Sequence, residues 1–334
     1  MKPSAFHFKP PFWLQNPHLQ TILPTLFKGN GCFGTQRERL SLPDQDFIDL
    51  DWSLGSGARG VLLLHGLSGS SRSPYISRLQ KLLSEHGFTV GALNFRGCSG
   101  VLNDTANAYH SGETKDLDTI YRVIAPRFES LSIVGFSLGG NMLLKWLGEQ
   151  GSAVSLAAAV AVSVPYELSR CADRMDRGFS RLYRDLLIGE LKVFVEAKKA
   201  HLLSIGRREE ADRLIELGDL SKLRSFWEYD DRVVAKLYGF KDVHDYYAQS
   251  SSRAYLRKIA NSTLLIHAQD DPFMVPEVIP SPQELGPDVR LEVTEKGGHV
   301  GFIEGHQALR PKYWIDRRIL SFLSEAYSKD SILT

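Results

Sequence analysis

Three residue types that together carry out nucleophilic catalysis occur in a suggestive order along this chain. Ser137 stands in "GFSLGG", directly after the apolar run 131–134 and before a helical pattern. Asp270 and Asp271 follow a later apolar run, and His299 follows the next one. A serine hydroxyl is a weak nucleophile until a base removes its proton, and that base needs an acid to orient it. The order serine, acid, histidine predicts such a triad.

The glycines on either side of Ser137 predict a sharp turn between a buried strand and a helix. Gly135 and Gly139 stand two positions before and after the serine. Such a turn forces unusual backbone angles on its central residue, and small neighbours allow the strand and the helix to approach closely. Because this short pattern also arises by chance, the prediction depends on the acid and the histidine that follow.

The identity of the acid stays open between two adjacent aspartates, with Asp271 favoured. If His267 and Ala268 end the strand, the acid is expected three residues after Ala268, on Asp271. A shift of one residue in the loop selects Asp270 instead. The aspartate that does not serve would cap or brace the loop.

Two backbone amides are predicted to bind the negative oxygen of a tetrahedral intermediate. The amide of Leu138 follows the nucleophile and lies at a helix N-terminus. The amide of Leu67 lies in the glycine-rich "HGLSGSS", which follows an earlier strand. His65 begins that segment, but it precedes the serine in the chain, so we expect it to be a structural hydrogen-bonding residue rather than the base.

The elements that must position these residues alternate between strands and helices. Six apolar runs have the composition of buried parallel strands. They span residues 60–67, 89–97, 131–137, 155–165, 262–270 and 289–298. "QRERLSLP" and "DFIDLDWSL" alternate like an antiparallel hairpin ahead of them. The pattern predicts an α/β fold with a mostly parallel twisted sheet and helices on both faces.

The alternation of strands and helices stops between residues 169 and 250, where the sequence is charged and has a helical pattern. We therefore expect a helical cap of 169–250 inserted into a core domain of 1–168 and 251–334. Five apolar residues of the cap are expected to form its own core rather than a substrate wall. They are Leu186, Leu187, Leu191, Phe194 and Val195.

Composition excludes several other classes of function. The 334 residues carry a formal net charge of +1, so nucleic acid is not an expected partner. The three cysteines are scattered, and no acid or histidine spacing suits zinc, so we expect no disulfide framework, metal or cofactor. The longest apolar run is too short to span a bilayer, and no secretory signal is recognised, so a cytoplasmic location is expected. Nothing indicates an oligomeric state.

One aromatic, proline-rich stretch, "FHFKPPFWL", could contact a membrane through Phe12 and Trp13. We expect it instead to pack across the surface of its own domain, which leaves no firm membrane signal in the sequence.

Motifs along nearly the whole chain resemble one branch of the α/β hydrolases. They are "NPHLQTILPTL", "LLLHGLSGSS", "NFRGCSG", "YHSGETKDL", "GFSLGGN", "YDDRVVAKLYGFKDVHDYY", "HAQDDPF" and "GGHVGF". The branch is that of the YheT-like esterases of bacteria, which are related to plant embryogenesis-associated proteins and to animal and yeast lipid esterases and acyltransferases. "NPHLQT" and "GGHVGF" are more specific to this branch than the serine motif.

The resemblance implies a triad of Ser137, His299 and one aspartate of the pair, with Leu67 and Leu138 as oxyanion donors. It implies chemistry through an acyl-serine on a small-molecule ester or lipid. We expect hydrolysis of carboxylic esters with short to medium acyl chains. The alternatives are an alcohol O-acyltransferase and a glycerolipid or phospholipid lipase with the same triad.

Overall fold

A sheet of eight strands forms the centre of the protein in a computed structural model that describes residues 7–26, 34–55, 57–305 and 311–330. In chain order the strands are β1 (Gln36–Ser41), β2 (Phe47–Ser53), β3 (Arg59–Leu64), β4 (Thr89–Asn94), β5 (Ser130–Phe136), β6 (Ala158–Val162), β7 (Thr263–Ala268) and β8 (Val289–Thr294). Across the sheet they lie in the order β1-β2-β4-β3-β5-β6-β7-β8. β2 is antiparallel to both β1 and β4, and the other neighbours are parallel. The predicted hairpin and the six predicted parallel strands are all present.

Helices cover both faces of this sheet, as predicted. In chain order, the helices of the described residues are α1 (Pro17–Leu26), α2 (Pro74–Glu85), α3 (Lys115–Ile124), α4 (Leu138–Gln150), α5 (Leu168–Met175), α6 (Ser180–Ser204), α7 (Arg208–Ile215), α8 (Phe226–Tyr229), α9 (Lys236–Tyr238), α10 (Val243–Ser250) and α11 (Trp314–Asp330). Successive side chains of a strand point to opposite faces. In β3, Val61 and Leu63 therefore pack with α2 and α11, whereas Leu62 and Leu64 pack with α3 and α4. A short pair, β9 (Ile303–Glu304) and β10 (Lys312–Tyr313), precedes α11.

The segment between β6 and β7 is described throughout and contains helices α5 to α10 but no strand. These helices bury an apolar cluster of their own, which includes Val195, Leu202, Leu214, Val233 and Tyr246. A π-helical turn, Asp230–Ala235, connects α8 to α9. The division into a core domain and a cap of 169–250 stays a prediction.

The aromatic stretch near the N-terminus packs largely onto its own domain. The ring of Phe8 is buried against Phe302 and Trp314, with ring centroids 5.6 Å from each. Leu14 is fully buried, whereas Phe12 is 84% exposed. Among the described residues, no helix has the length and apolar character needed to cross a bilayer.

The turn between β5 and α4 is compact because two glycines replace side chains that would collide with the backbone. A Cβ on Gly135 would lie 2.5 Å from the carbonyl oxygen of Gly139. A Cβ on Gly139 would overlap the carbonyl oxygen of His65 and lie 2.8 Å from that of Leu64. The first turn of α4 therefore rests directly on the end of β3, and this contact places Ser137 at the carboxyl end of the sheet.

This contact predicts that Gly139→Ala lowers the free energy of unfolding by about 2 kcal/mol or more, because the methyl group overlaps backbone atoms that cannot rotate away. Gly189→Ala is the control, since a Cβ at Gly189 in α6 meets nothing within 4 Å. The control should be neutral or more stable by up to about 1 kcal/mol. Urea denaturation of both variants measures the difference, and equal midpoints would contradict the close approach.

Candidate active site

Ser137 occupies the turn between β5 and α4 in a strained backbone conformation. Its φ is 50° and its ψ is −118°, a region that L-residues rarely adopt. The amide of Ser137 donates to the carbonyl of Val162 at 2.8 Å, so the end of β6 holds the turn in place. This conformation presents the hydroxyl group above the carboxyl end of the sheet, where the loops after β7 and β8 also lie.

His299 lies between Ser137 and Asp271 in a chain of hydrogen bonds. Its Nε2 is 3.0 Å from the Ser137 Oγ, and its Nδ1 is 2.8 Å from the Asp271 Oδ2. Because a carboxylate only accepts hydrogen bonds, Nδ1 carries the proton toward Asp271 and Nε2 is left to accept from the serine hydroxyl. The structure therefore brings together the serine, the histidine and one of the two aspartates that the sequence left open.

The two adjacent aspartates have different partners. Asp271 is buried, and its Oδ1 accepts from the Phe273 amide at 2.9 Å. Burial favours the neutral acid, but His299, His267 and the Phe273 amide together outweigh it and hold the pKa of Asp271 below its usual value. Asp270 instead accepts from the Gly298 amide at 2.9 Å, and burial raises its pKa. Asp271 therefore contacts the histidine, and Asp270 braces the loop that carries it.

The predicted oxyanion donor Leu67 lies between two amides that are held by tyrosines. The Gly66 amide donates to the hydroxyl of Tyr75 at 2.8 Å, and the Ser68 amide donates to that of Tyr109 at 2.9 Å. A Cβ on Gly66 would be 3.3 Å from the Cβ of Ser137, so this loop lies against the serine.

Leu67 and Leu138 line the same cavity as Ser137. The amides predicted to bind an oxyanion are therefore close to the serine, and their role stays a prediction.

His65 is fully buried beneath this loop and does not contact the serine hydroxyl. Its Nδ1 is 2.7 Å from the carbonyl oxygen of Gly66, and its Nε2 is 3.2 Å from the amide nitrogen of Phe95. Burial lowers the pKa of His65 to about 4, so the ring is neutral near pH 7. Its Nδ1–H then donates to Gly66 while its Nε2 accepts from Phe95, which agrees with the structural role that we expected.

Side chains from distant parts of the chain hold the backbone of the loop Gly297–Ile303, which carries His299. The four bonds run from the amide of Gly298 to Asp270 Oδ1 (2.9 Å), of His299 to Thr21 Oγ1 (2.9 Å), of Val300 to Ser163 Oγ (3.1 Å) and of Ile303 to Gln20 Oε1 (2.8 Å). Val300 and Phe302 have positive φ angles, so the loop is strained and needs external support.

Two of these supports, Gln20 and Thr21, belong to α1 and were missed by reasoning about chemistry from the sequence. Gln20 also donates to the carbonyl of Ile303 at 3.0 Å, so its amide group binds both polar backbone atoms of that residue. Thr21 donates to the carbonyl of Pro17 and thus has a fixed hydroxyl orientation. Both residues lie in the motif "NPHLQT". Their hydrogen bonds to the loop of His299 give a structural reason for the specificity of this motif to the resembled family.

An aromatic stack covers the outer face of the histidine. The ring of Phe273 lies parallel to His299, with centroids 4.1 Å apart and planes at 9°. Tyr183 of α6 packs on Phe273 at 4.9 Å, and its hydroxyl is 3.1 Å from Nδ1 of His18. The stack therefore connects α1, α6 and the loop after β7 around the histidine.

Ser137 lines two cavities, and a third cavity lies beside them. The small cavity, about 110 Å³, is bounded by Ser137, Leu67 and Leu138 together with residues of α5 and α6. The rim cavity, about 270 Å³, is bounded by Ser137 and His299 and by Thr21 of α1. The large cavity, about 420 Å³, shares Leu67 and Leu138 with the small cavity. A substrate that extends in two directions from its reacting carbon requires such space on more than one side of the serine.

The apolar residues of α6 do not all form the core that we predicted for them. Val195 is buried in the helical cluster. Leu186 is 66% exposed, and Leu187 lines both the small and the rim cavities. Leu191 and Phe194 line the large cavity. The prediction is wrong for Leu186, which is exposed, and for Leu187, because α6 crosses the site and presents that side chain to the cavities.

The support from α1 predicts that Thr21→Val slows reaction of Ser137 with a fluorophosphonate probe by about 10-fold, because the His299 amide loses its acceptor and the imidazole shifts. Thr25→Val on the same helix is the control, since the Thr25 hydroxyl donates to the carbonyl of Ile22 within the helix. Labelling rates measured on folded protein, checked by circular dichroism, test this. The same rate in both variants would show that α1 does not position the histidine.

Known proteins resemble this chain in sequence and in fold. The pattern of the alpha/beta hydrolase fold family matches residues 60–306. Over 327 residues the chain is 40% identical to "Putative esterase YheT" of Escherichia coli (strain K12), covering 96% of this chain and 94% of that protein. It is 26% identical over 310 residues to Phospholipase ABHD3 of Bos taurus, covering 89% and 74%.

A solved structure, the Pyrococcus furiosus esterase Pf2001, superposes with a TM-score of 0.54 at 17% identity, covering 91% of this chain and 93% of that one. This likeness shows a common fold. The match to the family pattern and the identity to YheT confirm the resemblance that the sequence motifs indicated. The chain belongs to the alpha/beta hydrolase family, in the branch that contains YheT.

Proposed function

We propose that this protein is a serine hydrolase that cleaves carboxylic esters of short to medium acyl chains through an acyl-serine intermediate. The observation that carries the proposal is the position of His299, within hydrogen-bonding distance of both the Ser137 hydroxyl and the Asp271 carboxylate. A histidine placed between a hydroxyl and a buried carboxylate can accept a proton at Nε2 while its charge is balanced at Nδ1.

In the proposed reaction, the Ser137 Oγ attacks the ester carbonyl carbon as its proton passes to the Nε2 of His299. The amides of Leu67 and Leu138 bind the negative oxygen of the tetrahedral intermediate. The imidazolium then returns the proton to the leaving alcohol, and the acyl group remains on Ser137. A water molecule repeats the sequence and releases the acid. Asp271 stays ionised throughout and orients the imidazole.

The small volume of the cavity beside the serine supports short acyl groups. The small cavity holds about 110 Å³ and is lined mostly by apolar side chains. The larger neighbouring cavity, about 420 Å³, gives reason to keep a glycerolipid or phospholipid lipase as the second candidate, and one relative is named as a phospholipase. An alcohol O-acyltransferase would use the same steps with an alcohol in place of water. A cytoplasmic location stays a prediction.

The proposal predicts that the wild-type protein hydrolyses p-nitrophenyl esters with a maximum at short or medium chain lengths between acetate and palmitate. Ser137→Ala should lower kcat by at least about 10⁴-fold, because no other group replaces the nucleophile. Ser204→Ala, at an exposed position of α6, should keep full activity.

Two further readouts separate the candidates. Glycerol or ethanol added to the assay should leave free acid as the main product of a hydrolase, whereas an acyltransferase would form mostly the new ester. A maximum at long acyl chains, or preferred cleavage of phospholipid vesicles, would favour the lipase. Equal turnover by Ser137→Ala would rule out the mechanism.

A further inference from the structure

A carboxylate that the proposed mechanism does not use, Asp230, lies on the wall of the site. It begins the π-helical turn Asp230–Ala235 and lines both the small cavity, which contains Ser137, and the large cavity beside it. π-helical turns are rare and occur frequently at functional sites. Asp230 therefore stands where the two spaces next to the nucleophile adjoin.

Only one oxygen of this carboxylate is bound by the protein. The hydroxyl of Tyr247 in α10 donates to the Asp230 Oδ2 at 2.7 Å. Among the described residues, the Asp230 Oδ1 has no hydrogen-bond partner. Solvent can reach this oxygen. Burial raises the pKa of Asp230 to about 7, so the charged form is destabilised until a partner arrives.

The surroundings of Asp230 are mostly apolar on the side of the serine. The side chains that share the small cavity with it include Leu168, Ala172, Met175, Leu187 and Met274. An acidic group in an apolar wall costs free energy unless hydrogen bonds satisfy it. A ligand that donates a hydrogen bond would satisfy the Oδ1 and would at the same time be oriented next to Ser137.

The lysine that lines the large cavity with Asp230 does not fill this role. Lys198 lines the large cavity, but its ammonium group already donates to the Oδ1 of Asn103 and, at 2.6 Å, to the carbonyl of Asn107. Lys198 is buried by these contacts and belongs to the junction between α6 and the core. The acceptor on Asp230 therefore remains available to a substrate.

We propose that Asp230 is a specificity-determining residue that binds a hydrogen-bond donor, a hydroxyl or a protonated amine, carried by the substrate a few bonds from the scissile ester. This inference rests on the proposed function, because it names a class of substrate for the same site. The preferred substrates are thus hydroxy- or amino-substituted esters rather than plain alkyl esters.

The Tyr247 bond could also serve only to join the π-helical turn to α10, so the test must separate binding from structure. Tyr247→Phe removes the bond within the protein and keeps the carboxylate. Adding Asp230→Leu to Tyr247→Phe then removes the carboxylate without leaving the tyrosine hydroxyl unpaired. The comparison between these two variants isolates the contribution of Asp230 to substrate choice.

Two series of esters test both arms of the substrate. In the acyl series, p-nitrophenyl ω-hydroxyhexanoate and ω-aminohexanoate are compared with the heptanoate. In the alcohol series, hydroxyethyl octanoate is compared with propyl octanoate. In at least one series the wild-type protein should prefer the donor-bearing ester by about 10-fold in kcat/KM, the size expected of a hydrogen bond to a charged group.

Tyr247→Phe should keep this preference, and the double variant should reduce it to within about 2-fold. Asp230→Asn provides a second route should the double variant not fold, because its amide oxygen still accepts from Tyr247. It should lose the preference for the amine, which depends on charge. The hydroxyl and amine arms show which donor the site prefers.

The proposal is overturned if the wild-type protein shows no preference in either series, or if the double variant keeps it. Fluorophosphonate labelling of Ser137 distinguishes this result from a failure of the proposed function. Labelling with no preference would refute the role of Asp230 alone, whereas a wild-type protein that is neither labelled nor active would refute the hydrolase mechanism itself.

Discussion

The hydrogen bond between Ser137 and His299 joins parts of the chain that are 162 residues apart, and each partner reaches it through a strained backbone. Ser137 is presented by a turn with positive φ, which is possible because Gly135 and Gly139 lack side chains. His299 is presented by a loop in which Val300 also has positive φ. Neither conformation is favourable alone, so the rest of the fold must hold both.

The sheet and α1 hold these two strained segments in different ways. Backbone packing supports the turn at Ser137, since α4 rests on the end of β3 and the Ser137 amide is bound by β6. Side-chain hydrogen bonds support the loop of His299, with acceptors from α1, from the segment after β6 and from the loop after β7. This division explains why an N-terminal helix outside the sheet carries a motif as specific as the one around the histidine.

Much of the fold could be predicted from the sequence because buried parallel strands have an apolar composition on both faces. The contact between Ser137 and His299 could be predicted because a nucleophile and a base have few alternatives once their order and strand-end positions are recognised. The choice between Asp270 and Asp271 required coordinates, since one residue in a loop decides which carboxylate faces the imidazole.

Other features of the site depend on contacts between segments that lie far apart in the sequence, so no local sequence pattern indicates them. Thr21 and Gln20 act on a loop near the other end of the chain, and their residue types are common at any surface. Leu187 was predicted to be buried in the core of the helical segment, but the direction in which α6 crosses the site turns it toward the cavities. The unpaired oxygen of Asp230 is a further example, since the hydroxyl of Tyr247 in α10 binds only its Oδ2.

The triad of Ser137, His299 and Asp271 is tested most directly by comparing Asp271→Asn with Asp270→Asn on the p-nitrophenyl ester that the wild-type protein hydrolyses best. Both changes remove one charge from the same loop, but only Asp271 contacts the imidazole. The triad predicts a loss of about 10³- to 10⁴-fold in kcat for Asp271→Asn, because the histidine loses its orientation and its counter-charge. For Asp270→Asn it predicts a loss of about 10-fold or less. Equal losses, or a larger loss for Asp270→Asn, would contradict it.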